Sequence, residues 1–270
     1  MSKLQYAQEY GPPTRKQLGA AVDILGVKVD ALRLDDVLDM ITRTINARER
    51  AIITYANIHT LNLAHELSWF RAFLNRSDIV FCDGFGVKWG ARLLGARIPE
   101  RFTPPDWMAR LAEVACQNDF SLFFIGARPG VARQAAEQLQ SHFPKLRIVG
   151  IHHGYFDRTS GSAENELAIQ AINAVKPNML VVGFGMPFQE RWLLENWDRL
   201  DANVALTAGA VFDYLSGTLP RAPGWMTDHG MEWLGRLFVE PRRLWRRYLI
   251  GNPLFLYRLL RQRFGLLRIK

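Results

Sequence analysis

Met179-Leu180-Val181-Val182-Gly183-Phe184-Gly185-Met186-Pro187-Phe188-Gln189-Glu190 runs from an unbroken apolar stretch through a glycine turn into the opening of a helix. Met179–Gly183 reads as a strand buried on both faces, and Phe188–Leu200 as the helix after it. The same grammar recurs on either side. Ala51–Ala56, Asp78–Cys82, Ser121–Gly126, Leu146–Ile151 and Ala202–Ala208 read as strands. Thr60–Asn75, Val131–His142 and Glu164–Val175 read as helices between them. Short apolar runs alternating with amphipathic stretches predict an α/β fold with a mostly parallel sheet flanked by helices. Val22–Asp30 reads as an early hairpin, and the first 20 residues as a flexible lead. After Pro220 the strands stop and Trp, Arg and Leu dominate. The expected organisation is therefore a lead over 1–20, an α/β core over 21–225 and a helical appendage over 226–270.

The chain has 270 residues, enough for a sizeable core, with 49% hydrophobic and 22% charged residues. Cys82 and Cys116 are its two cysteines, and neither has neighbours at metal-ligand spacing, so neither zinc nor a disulfide framework is expected. The polar N-terminus lacks the pattern of a signal peptide. No stretch approaches the roughly 18 uninterrupted apolar residues that a membrane span needs. The charge is lopsided. Arg236 to Lys270 holds ten basic residues against Glu240 alone, so this tail carries +9 of a net +8 and the remainder is close to neutral. A local basic patch implies an anionic partner.

Ligands of open parallel sheets bind beyond the carboxyl ends of the strands. The residues there are Asn57 and His59; Asp83-Gly84-Phe85-Gly86; Gly126–Gly130; His152–Tyr155; Gly183–Glu190; and Gly209–Asp213. No loop reads GxxxxGK[ST], and GFGMPF is not GxGxxG, so neither a P-loop nor a dinucleotide fingerprint is present. Asp83 can act as a general base on a sugar hydroxyl, or simply cap a helix. Gln189 and Glu190 can bind a ligand, or satisfy a helix N-terminus. Asp213 can hold a ribose or base edge, or cap a short helix. His152-His153 lacks the further ligands of a metal site. No Asp-x-Asp pair occurs, so a leaving diphosphate would have to be neutralised by other charges, for which arginine suits.

Five motifs in order carry a resemblance: DGFGV at 83–87, GFGMPFQE at 183–190, GAVFDYLSG at 209–217, RAPGWM at 221–226 and MEWLGRLFVEPRRLWRRY at 231–248. Together they resemble the WecG/TagA/CpsF glycosyltransferase family over roughly residues 50 to 250. The resemblance implies a Rossmann-like core with a C-terminal membrane-associating appendage. It also implies metal-independent, cofactor-free, inverting transfer of a hexose (N-acetylmannosamine, its uronate or glucose) from a UDP-sugar to a polyprenyl-diphosphate-linked sugar in bacterial surface polysaccharide synthesis. By position it implies Asp83 as base, Asp213 on the uridine side, Gln189 in the PxQE motif, and Arg236, Arg243 and Arg246 reaching the diphosphate. Asn57 matches the asparagine of the T-x-N motif. This chain reads Thr54-Tyr55-Ala56-Asn57, one residue longer, so Tyr55 stands where the family has threonine. The 101–107 loop, RFTPPDW, also departs from the family pattern.

The catalytic set expected is therefore Asp83, Asn57, Arg236, Arg243 and Arg246, with Gly84, Gly183, Gly185, Gln189, Glu190, Gly209 and Asp213 binding substrate. The tail's arginines and aromatics read as an arm on the anionic inner face of the plasma membrane of a cytoplasmic protein. Arg243, Arg246 and Arg247 would share one helical face, in a helix begun by Pro241. An oligomer interface is the competing reading of the tail; nucleic acid is disfavoured by the near-neutral body. A non-catalytic nucleotide-sugar-binding subunit, and behind it an oxidoreductase, are the competing functions.

Overall fold

The computed structural model describes residues 19–267, so the expected lead lies outside the described residues except for its last two positions, as do Arg268 and Lys270 at the other end. The hairpin forms as expected. β1 (Ala21–Ile24) and β2 (Val27–Asp30) pair antiparallel, and both turn residues, Leu25 and Gly26, have positive φ. That is the geometry whose twist suits a two-residue hairpin.

Six strands form the main sheet: β3 (Ala51–Ala56), β4 (Ile79–Cys82), β5 (Ser121–Gly126), β6 (Arg147–His152), β7 (Met179–Gly183) and β8 (Val204–Thr207). Their order is β4-β3-β8-β7-β5-β6, every pairing parallel. Every residue of β4, β5, β7 and β8 is buried, which is why these strands read as continuous apolar runs. β6 lies at an edge and is only partly buried. One buried cluster joins one face of the sheet to helices Leu34–Asn46, Pro104–Asn118, Val131–His142 and Val211–Leu215. A second covers the other face with helices Ile58–Glu66, Ser68–Arg76, Phe85–Leu93, Ala163–Val175 and Phe188–Asn196.

Three boundaries differ from expectation. The stretch expected as one helix over 60–75 is two, because Leu67 adopts an extended conformation between Glu66 and Ser68. The break lets Leu61 and Ala64 on one segment and Phe70, Phe73 and Leu74 on the other face the same sheet. The helix from Phe188 ends at Asn196 and tightens into a 3-10 turn over Trp197–Arg199. Helix Pro241–Trp245 does begin at its proline, but Arg246–Ile250 then widens into π geometry before helix Gly251–Arg263. Phe255 and Leu259 of that last helix are buried in the second cluster. Each contributes roughly 1.5–3 kcal/mol through burial, enough to hold the helix against the body. Among the described residues no helix is long and apolar enough to cross a membrane.

Candidate active site

The position of the site follows from chain direction. β3 and β8 are neighbours, yet helix Ile58–Glu66 after β3 packs on one face of the sheet and helix Val211–Leu215 after β8 on the other. The chain parts above their carboxyl ends and leaves a crevice. A cleft of about 250 Å³ opens there. Asn57, Asp83, Gly84, Gly185 and Gly209 line its floor, and Arg236, Arg243 and Arg247 reach it from the C-terminal helices.

Asp83 follows β4 directly, and its backbone N–H donates to Ala56 O at 2.9 Å, so it extends the pairing with β3 by one residue. Gly84 then turns at φ +105°, a conformation that a side chain would strain, and helix Phe85–Leu93 starts. Asp83 is not this helix's cap, because the capping position is Gly84 and receives no side-chain hydrogen bond. Asn57, by contrast, caps helix Ile58–Glu66. Its Oδ1 accepts from Thr60 N at 3.0 Å, and Thr60 Oγ1 accepts from Asn57 N at 3.1 Å. That clamp directs Asn57 Nδ2 outward, where it donates to Asp83 Oδ2 at 3.0 Å.

The Asp83 carboxyl is pushed up to about 6, chiefly by burial and further by Glu232; the Asn57 hydrogen bond, Arg247 and Arg236 pull the other way. It is therefore largely ionised at neutral pH yet basic enough to take a proton. Since the Asn57 bond favours the charged form, Asn57→Ala is expected to raise this pKa and move the acid limb of kcat/KM to higher pH. Loss of the cap is also expected to cost about 1 kcal/mol of stability. A pH–rate profile checks the first effect and thermal melting the second; an unmoved acid limb would show that the Asn57 bond does not tune the carboxyl.

The arginines divide differently from the expectation. The Nε atoms of Arg236 and Arg247 are buried and have no hydrogen-bond partner among the described residues. The Arg236 guanidinium sits 5.6 Å from the centre of the Tyr214 ring and that of Arg247 5.5 Å from Tyr248. Arg243 lines the cleft and pairs with Glu240. Arg246 does not line it; the side chain is exposed and lies 5.2 Å from the Trp245 ring. The π turn is the reason. Its wider winding breaks the i, i+3, i+4 face expected of Arg243, Arg246 and Arg247, so that Arg247 and not Arg246 turns inward.

Gln189 and Glu190 also differ from expectation. They are 0% and 1% exposed and stand behind the cleft wall rather than in it. Gln189 Oε1 accepts from Gly209 N at 3.0 Å, and its Nε2 donates to Glu190 Oε1 at 2.7 Å. Burial pushes the Glu190 carboxyl up to about 7. The pair therefore shapes the Gly209 turn, at φ +56°, over which the Tyr55 hydroxyl packs. Gly183 is likewise away from the cleft: a Cβ there would meet the Phe212 ring at 2.8 Å, so its smallness serves packing. Asp213 lies outside the cleft lining; burial raises its pKa, against the opposing charges of Arg128 and Arg243. Thr54 is buried and accepts from Thr207 Oγ1 at 2.9 Å, whereas Tyr55 lines the cleft.

Glu232, which the sequence did not single out, completes the site together with His59 and the 101–105 loop. Glu232 opens helix Glu232–Val239 beside Arg236, and the acid in that first turn was its visible signal. His59 lines the cleft with its pKa lowered to about 4 by burial and by Arg247, so it is neutral at pH 7. Arg101 lies 4.6 Å from the Phe85 ring and donates to Thr227 O at 3.1 Å, bringing the 101–105 loop to the rim. A pinned carboxylate facing two buried guanidinium groups can accept a proton while an anion forms nearby.

The chain is similar to known proteins over most of its length. An N-acetylglucosaminyldiphosphoundecaprenol N-acetyl-beta-D-mannosaminyltransferase of Staphylococcus aureus strain NCTC 8325 is 27% identical over 243 residues, covering 89% of this chain and 92% of that protein. The protein of the same name from strain MW2 matches to the same extent. The model of the Glycosyl transferase WecG/TagA/CpsF family matches residues 22–268, nearly the whole chain. The chain is a glycosyltransferase, and it belongs to the WecG/TagA/CpsF family.

Proposed function

We propose that this transferase moves N-acetylmannosamine from its UDP-sugar onto an N-acetylglucosaminyl diphosphopolyprenol, in the assembly of a bacterial surface polysaccharide. The names of the Staphylococcus relatives support the two sugars and the lipid. The observation that carries the mechanism is the presence, in one cleft, of Asp83 and of the buried Nε atoms of Arg236 and Arg247, which have no hydrogen-bond partner among the described residues.

The acceptor hydroxyl gives its proton to Asp83 as its oxygen attacks the anomeric carbon. The bond from that carbon to the diphosphate oxygen breaks, and UDP leaves with the electron pair. A single displacement inverts the anomeric centre. Arg236, Arg247 and Arg243 take up the charge of the departing diphosphate, the role that a divalent cation fills elsewhere. Gln189 and Glu190 act through the Gly209 turn, as positioning residues. The C-terminal helices expose Trp245, Leu249, Leu256, Tyr257 and Phe264 among arginines, a surface suited to lie on anionic lipid at the membrane's inner face. A second copy of the chain could cover the same surface in solution.

The test is UDP release from a panel of UDP-sugars in the presence and absence of a lipid-diphosphate N-acetylglucosamine. Acceptor-dependent release is expected with UDP-N-acetylmannosamine, at the same rate with chelator present. No release with any donor would refute the reading, and a rate restored only by magnesium or manganese would refute the role of the arginines.

A further inference from the structure

Helix Phe85–Leu93 begins two residues after Asp83 and has two different faces. Val87, Gly90 and Ala91 are buried. Gly90 lies so close to the last helix that a Cβ would stand 3.1 Å from Phe255 and 3.3 Å from Leu259. The helix is thereby held in place by packing, and what it carries outward is fixed with it. The outward residues are Lys88, Trp89 and Arg92, and Trp89 is 60% exposed. From Gly84 to Pro99 the chain holds three basic residues, Lys88, Arg92 and Arg97, and no acid.

These residues surround a second cavity, of about 550 Å³. Neither Arg92 nor Arg97 has an ion-pair partner among the described residues, and Lys88 Nζ spends one of its three donors on Pro99 O, at 2.9 Å. Phe85 lines both this cavity and the cleft, so the two share a wall residue.

On the proposed reading the reaction involves two diphosphates. The donor's becomes the leaving group and is met by the tail arginines. The acceptor's stays bonded to its lipid and carries a like charge, so the same guanidinium groups cannot hold both without forcing two anions together. A second cationic pocket, sharing Phe85 with the cleft that holds Asp83, suits the second diphosphate. An exposed indole beside it suits the apolar chain that follows.

We propose that the cavity bounded by Phe85, Lys88, Trp89, Arg92 and Arg97 binds the isoprenyl diphosphate of the acceptor. Lys88, Arg92 and Arg97 hold the phosphates, and Trp89 lies along the first isoprene units. This rests on the lipid-diphosphate acceptor proposed above.

The full chain and its Lys88→Gln/Arg92→Gln/Arg97→Gln variant are titrated separately with farnesyl diphosphate, with UDP and with phosphatidylglycerol vesicles. The variant is expected to lose about tenfold or more in affinity for farnesyl diphosphate while UDP affinity holds. Trp89→Ala is expected to weaken farnesyl diphosphate but not inorganic pyrophosphate. Unchanged farnesyl diphosphate affinity in the triple variant would overturn the proposal. So would an equal loss of UDP affinity, or a loss of vesicle binding with farnesyl diphosphate binding intact, which would make the patch a general lipid contact. Because these are binding measurements, their failure is distinguishable from a failure of UDP release, which tests the function itself.

Discussion

Asp83→Asn is expected to lower kcat by roughly 10³-fold, within the range that general-base groups supply. The amide has the shape of the carboxyl and keeps an oxygen for Asn57 Nδ2, so the hydrogen bond of 3.0 Å has a partner in the variant as well. What is lost is the ability to take a proton. UDP affinity is expected to hold or tighten, because a negative charge facing Arg236 and Arg247 has been removed beside the place where an anion binds. The fold is expected to gain. Burial raises the Asp83 pKa from 3.8 to about 6, so the folded state favours the protonated form, and stability falls as pH rises through that value. The variant does not ionise, and should melt above the parent at pH 8, the difference shrinking as pH falls below about 6. Turnover, UDP titration and melting at two pH values check all three; a variant with parental kcat removes Asp83 from the chemistry.

Arg247→Ala is expected to reduce kcat by roughly 10²–10³-fold, as for the loss of one preorganised donor to a developing anion. Arg236→Ala should behave alike, since both Nε atoms are buried on the same cleft and have no hydrogen-bond partner among the described residues. Both arginines also lower the Asp83 pKa. Each alanine variant should therefore shift the acid limb of the pH–rate profile upward, an effect that a merely structural role would not produce. Arg247→Lys should recover only part of the loss, because an ammonium keeps the charge without the planar fork. Arg246→Ala, assayed in detergent away from any lipid surface, should have little effect, since that side chain is exposed over Trp245. The reverse pattern, with Arg246 essential and Arg247 dispensable, would refute the inward turn of Arg247.

Much of this was legible in one dimension. Met179–Gly183 reads as a strand because both faces of a central parallel strand are covered, and the structure has all five residues buried. Val131–His142 forms a helix over the residues that its periodicity marks. The glycine turns after β4, β7 and β8 mark where the chain reverses at the sheet's edge, and Asp83, Gly185 and Gly209 meet in the cleft there. The direction of Gln189 and Glu190 is not legible in the sequence, for a physical reason. A polar pair opening a helix looks the same in sequence whether it points at a ligand or inward, and its direction depends on how that helix lies on Gly209.

Strand composition and turn chemistry by themselves determined the parallel sheet, the edge at which the cleft opens and the carboxylate that stands there, because each is a local property of a few consecutive residues. The choice of Arg247 over Arg246, the retreat of Glu190 behind the wall and the arrival of Glu232 opposite Asp83 belong to the tertiary structure alone. They depend on one widened helical turn and on the angle at which the C-terminal helices dock, and these are set by packing among residues far apart in the chain, such as Gly90 against Phe255 and Asn62 against Arg258.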